Sequence, residues 1–150
     1  MKIIKRKKSG FTLIELLVVI VIIGFLVTAG MMNYQTVLER GKTGQALTEI
    51  GKMSGSVARY LVFSDALPTD IRDLDVDFIN VQADNMSYTT KFYLLGLSQD
   101  GTGYRITATR QNNTNDFGAY TVYYTSTNGQ LYCTSPGTKA CTKILDAIEI

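Results

Sequence analysis

Few residues in this chain are candidates for a catalytic or binding role, and the most unusual of them is an acid. Glu15 is the only charged residue between Phe11 and Met32, a run of 22 residues. An ionised carboxylate costs about 2.5–3.5 kcal/mol at the centre of a bilayer, so a segment that only crosses or targets a membrane has no use for one. A buried charge is tolerated when it is paired. Glu15 therefore predicts a pairing partner.

The remaining reactive side chains do not form a catalytic set. The chain has no histidine, which removes the commonest general base and the commonest metal ligand. No nucleophile has a recognisable partner base, and two cysteines without a CxxC pair make a poor zinc site. We predict that the protein is not an enzyme and that it carries no cofactor and no metal.

The two cysteines, Cys133 and Cys141, lie near the C-terminus with Pro136 and Gly137 between them. In an exported protein this spacing favours one disulfide that closes a small, polar, surface-exposed loop. The alternative is a pair of buried thiols.

The charge is divided unevenly along the chain. Five of the fifteen basic residues fall within the first ten residues, which contain none of the thirteen acids. A basic leader before an apolar run is typical of the cytoplasmic flank of a membrane segment. The remaining sequence is mildly acidic, so nucleic-acid binding by the subunit itself is not predicted.

Three interpretations of the apolar run are open. It can be a secretory signal cut before Gly30, or a simple single-span anchor. It can also remain as a helix after a cut between Gly10 and Phe11, which creates an α-amine four residues before Glu15. Positions i and i+4 share a helix face, and a neighbouring chain's amine can serve as well. Only this third interpretation gives Glu15 a partner.

The stretch "GFTLIELLVVIVIIG", residues 10–24, after a short basic leader resembles the N-terminus of type IV prepilins and of type II secretion pseudopilins. The resemblance covers roughly residues 5 to 33. It implies cleavage after Gly10 by a prepilin peptidase, methylation of Phe11 and an assembly role for Glu15. It also implies a homo-oligomeric helical filament, a pilus assembly machinery as partner, and passage from the bacterial inner membrane to a cell-surface pilus.

The rest of the chain supplies the elements that must position these residues. Apolar residues at spacings of three and four continue past Met32, with charged residues such as Glu39 largely between them on a polar face, and predict one helix from about 11 to about 62. Four segments rich in aromatic and β-branched residues predict an antiparallel sheet, with a tight hairpin at Asn128-Gly129. They are "KFYLLGL", "GYRITATR", "AYTVYYTS" and "GQLYCT". The tail from Thr142 to Ile150 is expected along a sheet edge.

The connection between helix and sheet, from Pro68 to about Ser87, is predicted to be irregular. Its aspartates Asp73, Asp75 and Asp77 alternate with apolar residues, which favours one solvated face. A calcium site in the Asp70–Asp77 region is the alternative, although the order of ligands in a calcium hand is missing.

The predicted fold class is therefore α+β, a pilin fold with the long helix on about four antiparallel strands and a C-terminal disulfide loop. The predicted domains are a leader at 1–10, a transmembrane and assembly half-helix at 11–32, and an extracytoplasmic globular domain at 33–150. The predicted function is that of a type IV pilus subunit serving adhesion, motility or DNA uptake. Alternatives are a type II secretion pseudopilin and an anchored exported domain that does not polymerise. In the family that the sequence resembles, major pseudopilins generally lack such a C-terminal bridge, which favours the pilin.

Overall fold

The computed structural model describes residues 10–111, 117–136 and 140–145, with the side chains of residues 32, 33 and 143–145 left aside. A long helix is followed by a 3-10 turn, five strands and a short second helix. In chain order these are α1 (Leu13–Ser64), the turn (Ile71–Asp73), β1 (Ser87–Thr89), β2 (Tyr93–Asp100), β3 (Gly103–Arg110), β4 (Thr121–Thr125), β5 (Gln130–Thr134) and α2 (Ala140–Leu145).

The chain divides into two compact units, Met1–Val37 and Leu38–Ile150. In the first unit, α1 presents its side chains outward, and every described side chain from residue 10 to residue 31 is exposed. Of the described helices, α1 is the one long and apolar enough to cross a membrane.

The second unit is built from the later part of α1 and an antiparallel sheet in which β1 to β5 pair in chain order. Residues alternate along β3 between buried and half-buried positions, as expected for a strand with one face on the core. The helix contributes Ala46, Ile50, Met53 and Val57 to this core, each 3% exposed or less. The predicted α+β arrangement of helix on sheet is confirmed.

The sheet has five described strands where the sequence predicted about four. The additional strand, β1, is three residues long and begins at Ser87, where the connection predicted to be irregular ends. It pairs with β2, and an isolated bridge joins Val81 to Tyr88 on its other side. Three residues are too few to show the alternation of polar and apolar side chains that predicts a strand. The extended conformation of this segment depends on the neighbours with which it pairs.

The end of α1 and the last hairpin both differ slightly from expectation. The helix ends two residues later than predicted, where Asp65 adopts φ 51° and donates its N–H to the carbonyl of Leu61 at 3.1 Å. The β4–β5 connection spans four residues, 126–129, and not the tight turn expected. Gly129 has φ 69° there, so the glycine was correctly identified while the loop length was wrong.

The predicted disulfide between Cys133 and Cys141 is confirmed, with Cα atoms 5.6 Å apart. It links β5 to α2, and Ala140 beside it is 1% exposed in the core. Thr134 and Pro136 are exposed, as expected for the loop, while residues 137–139 lie outside the described residues. The tail was predicted along a sheet edge. Its described part, residues 142–145, is helical, and α2 contacts β5, an edge strand of the sheet, while residues 146–150 lie outside the described residues.

Candidate functional site

The N-terminal end of α1 holds the three residues that the sequence singled out. Gly10 and Phe11 precede the helix and are exposed, Phe11 at 89%. A Cβ added at Gly10 would meet no atom of the described residues within 4 Å, so packing among them does not require glycine there. The Gly10–Phe11 peptide bond is thus outside regular structure and accessible, as a protease requires.

Glu15 closes a capping box at the start of this helix. Its Oε2 accepts hydrogen bonds from the backbone N–H of Thr12 at 2.8 Å and from the Thr12 hydroxyl at 2.9 Å. In return, the Thr12 hydroxyl oxygen accepts from the backbone N–H of Glu15 at 3.3 Å. Two otherwise unpaired helix donors are satisfied in this way.

The capping box gives Glu15 hydrogen-bond partners that the sequence analysis did not predict. The carboxylate has partners within its own helix, which reduces the cost of carrying it in an apolar segment. The pattern Thr-x-x-Glu before an apolar run was the readable signal.

A second group of polar residues, which sequence reasoning missed, is buried between α1 and the sheet. Glu39 was expected on the polar face of the helix, but its side chain is 1% exposed. Its Oε1 accepts from Arg110 Nε at 2.6 Å and from the Tyr120 hydroxyl at 3.0 Å. Its Oε2 lies 2.9 Å from Lys42 Nζ. The expectation fails because a partner 71 residues away cannot be seen in a local pattern.

Hydroxyl groups extend this cluster. The Tyr93 and Tyr120 hydroxyls lie 2.6 Å apart, and the Thr43 hydroxyl lies 3.1 Å from that of Tyr120. Burial raises the pKa of Tyr93 and of Tyr120 above the ordinary tyrosine value. Both rings therefore stay neutral at physiological pH and act as hydrogen-bonding groups.

The charges in the cluster are stabilised by each other. Burial disfavours the ionised form of Glu39, but hydrogen bonds from Arg110, Lys42 and Tyr120 outweigh it and hold the pKa of Glu39 below its usual value. Burial likewise opposes the charge of Arg110, and Glu39 outweighs it, so the pKa of Arg110 is raised. This ion pair joins α1 to β3.

The acidic connection is organised by arginines. Asp73, Asp75 and Asp77 are exposed while Leu74 is buried, in line with the predicted solvated face. Asp75 accepts from Arg59 Nη2 at 2.9 Å and from the Ser56 hydroxyl. Hydrogen bonds from Arg59 and Ser56 lower the pKa of Asp75 to about 2. Within the described ranges, no group of three His, Cys, Asp or Glu residues is placed to hold a metal ion.

Comparison with known proteins places these features in a family. The family model described as "Prokaryotic N-terminal methylation motif" matches residues 5–31. Type II secretion system core protein G of Aeromonas hydrophila is 32% identical over 101 residues, which cover 66% of this chain and 71% of that protein. No solved structure matches the chain.

Fimbrial proteins are similar over a shorter stretch. Fimbrial protein EcpC of Eikenella corrodens is 36% identical over 67 residues, covering 45% of this chain and 44% of that protein. Type IV major fimbrial protein FimA of Dichelobacter nodosus is 34% identical over 58 residues, covering 39% of this chain and 37% of that protein. The match thus spans less than half of either fimbrial relative. The methylation motif and the extent of the match to core protein G show that the chain belongs to the family of type IV pilins and type II secretion pseudopilins.

Proposed function

We propose that this chain is a structural subunit of a type IV pilus and that its mechanism is assembly. The observation that carries the proposal is the exposed apolar half of α1, which begins with a capping box directly after an accessible Gly10–Phe11 bond. Such a surface is stable in lipid or against other helices, and not in water. The filament would serve adhesion, motility or DNA uptake.

The chain's three proposed regions follow from this assignment. Residues 1–10 form a leader removed by a prepilin peptidase, and Phe11 becomes the methylated N-terminus. Residues 11–32 hold the precursor in the inner membrane and later pack against other subunits, with the pilus assembly machinery as partner. Residues 33–150 form the extracytoplasmic domain on the cell-surface pilus.

The processing is tested by mass spectrometry of material sheared from cells. The expected mature chain begins at a methylated Phe11 and retains Glu15. A chain that begins at Gly30 contradicts the proposal in favour of a secreted domain cut by signal peptidase. Negative-stain electron microscopy of the same fraction is expected to show filaments, and a chain found only in membranes would instead be an anchor.

Glu15 has a proposed second role beyond the capping box, as the partner of a neighbouring subunit's Phe11 amine. Glu15→Ala is expected to leave the precursor in the inner membrane, since a methyl group is favoured there, while filament yield falls. Thr12→Ala is the matched control, because it removes the hydroxyl's part of the cap at a cost of about 1 kcal/mol but retains the carboxylate. Equal yields from the two variants, measured by electron microscopy and immunoblotting, would contradict the assembly role.

The type II secretion pseudopilin is the second candidate, because the match to core protein G covers more of this chain than the fimbrial matches do. The Cys133–Cys141 bridge favours the pilus, given the family pattern described above. Deletion of the gene separates the two functions. Loss of surface filaments with normal protein secretion supports the pilus, and loss of secretion supports the pseudopilus.

A further inference from the structure

The unit Leu38–Ile150 has an excess of positive charge near the start of its helix. Lys42 Nζ, Lys91 Nζ and the guanidinium carbon of Arg110 lie 5.4, 5.3 and 5.3 Å from the centroid of the Phe92 ring. Glu39 pairs with Lys42 and Arg110 and neutralises one charge. Lys91 is exposed and forms no ion pair with any described residue. We call Lys42, Lys91, Phe92 and Arg110 the basic end.

The opposite charge gathers beyond the end of α1. Two aspartates of this segment are neutralised, Asp70 by Arg72 and Asp75 by Arg59. Asp65 and Asp73 are exposed and form no ion pair within the described part of the chain. We call Asp65, Asp70, Asp73 and Asp75 the acidic end.

The two ends cannot meet within one subunit. Arg59, which holds Asp75, follows Lys42 by 17 residues on α1. At 1.5 Å per residue this places the two ends about 26 Å apart along the helix axis. The distance is about three Debye lengths at physiological salt, so the charges barely interact in the monomer. Lys91, Asp65 and Asp73 are therefore available to another molecule.

Opposite charges at opposite ends of one compact unit favour a head-to-tail contact between copies. In such a heterologous contact, each subunit uses one patch to bind and leaves the other patch free for the next copy. The contact therefore propagates into an open helical assembly unless its geometry closes a ring. A side-by-side contact between parallel copies would place like charges together and be disfavoured.

We propose that the basic end of one subunit binds the acidic end of the next, with Lys91 and Asp73 carrying the charges that set the axial register of the filament. This inference rests on the proposed function and names the partner as a second copy of the chain. The second copy is favoured over phosphate groups of lipid because the same chain supplies the complementary acidic patch.

Charge reversal in the full-length chain, expressed in place of the wild type, tests the contact. Lys91→Glu and Asp73→Lys each place like charges across the proposed contact between Lys91 and Asp73, so each is expected to lower the yield of sheared filaments about tenfold. The double variant exchanges the two signs and is expected to recover to within about threefold of wild type, since the coupling is restored. The precursor in the membrane fraction is measured in parallel.

Lys52→Glu is the matched control, since it makes the same charge change at a half-exposed lysine between the two ends. It is expected to leave filament yield unchanged. Normal yield from either single variant overturns the inference, and so does a double variant that fails to recover. A wild type without filaments refutes the proposed function itself, and is thereby distinguished from these outcomes.

Discussion

The buried pair of Glu39 and Arg110 should dominate the stability of the globular unit. Their side chains are 1% and 5% exposed, and Arg110 Nε lies 2.6 Å from Glu39 Oε1. Glu39→Met preserves approximate volume but leaves the guanidinium buried without its carboxylate. Removing one partner of a buried pair typically costs about 3–5 kcal/mol. At about 4 °C per kcal/mol for a domain of this size, the thermal midpoint should fall by about 12–20 °C.

The double variant Glu39→Met with Arg110→Met distinguishes the loss of the ion pair from a loss of side-chain packing. Replacing both charges by apolar groups is often neutral or stabilising, so this variant should recover most of the lost stability. Thermal unfolding of the full-length chain in detergent, monitored by near-ultraviolet circular dichroism of the tyrosines, gives the thermal midpoints of the single and the double variant.

The half-exposed pair of Lys52 and Glu49 provides the control. Lys52→Met should cost less than about 1 kcal/mol, as surface pairs do. A loss below about 1 kcal/mol in Glu39→Met would refute the reasoning, because a buried charge would then be tolerated alone. A double variant less stable than the single one would refute it equally.

The remaining predictions concern other parts of the globular unit. Cys133→Ser with Cys141→Ser should lower its stability by about 2.5 kcal/mol in thermal unfolding, and free thiols in protein purified without reductant would contradict the bridge. The folded pKa of Asp75 is lowered to about 2, so its stabilisation is full above the unfolded value and is lost as pH falls from about 4 to 2. Asp75→Asn should therefore show a smaller drop in thermal midpoint over that range, and an unchanged drop would argue against the Arg59 contact. Gly51→Ala should raise stability by about 0.5–1 kcal/mol in the same measurement, because an added Cβ meets no atom within 4 Å; a decrease would indicate an unseen constraint.

Local pattern was sufficient for most of the architecture. The spacing of apolar residues along the helix and the alternation in four strand segments depend on near neighbours in the chain, so they predicted the helix-on-sheet fold. The glycine of the β4–β5 turn and the disulfide between Cys133 and Cys141 were also predicted correctly. In the candidate site, the proposed roles of Gly10, Phe11 and Glu15 rest on fixed residue types that follow one another within six positions.

Three features were decided only by tertiary contact. Strand β1 exists because β2 and Val81 flank it, and no property of its three residues requires a strand. Glu39 has the polarity of a surface residue and becomes buried because Arg110 and Tyr120 converge on it from the sheet. The separation of the basic and acidic ends depends on which turns of α1 meet Phe92 and Asp75.

The difference between the two groups of features has one physical origin. Periodicity and turn chemistry are free-energy preferences of a few adjacent residues, and they are present in the sequence as written. The cost of burying a carboxylate is instead decided by whether a cation reaches it, and here that cation lies 71 residues further along the chain. Only the packed sheet brings Arg110 to Glu39, so only the tertiary structure could make this acid a core residue.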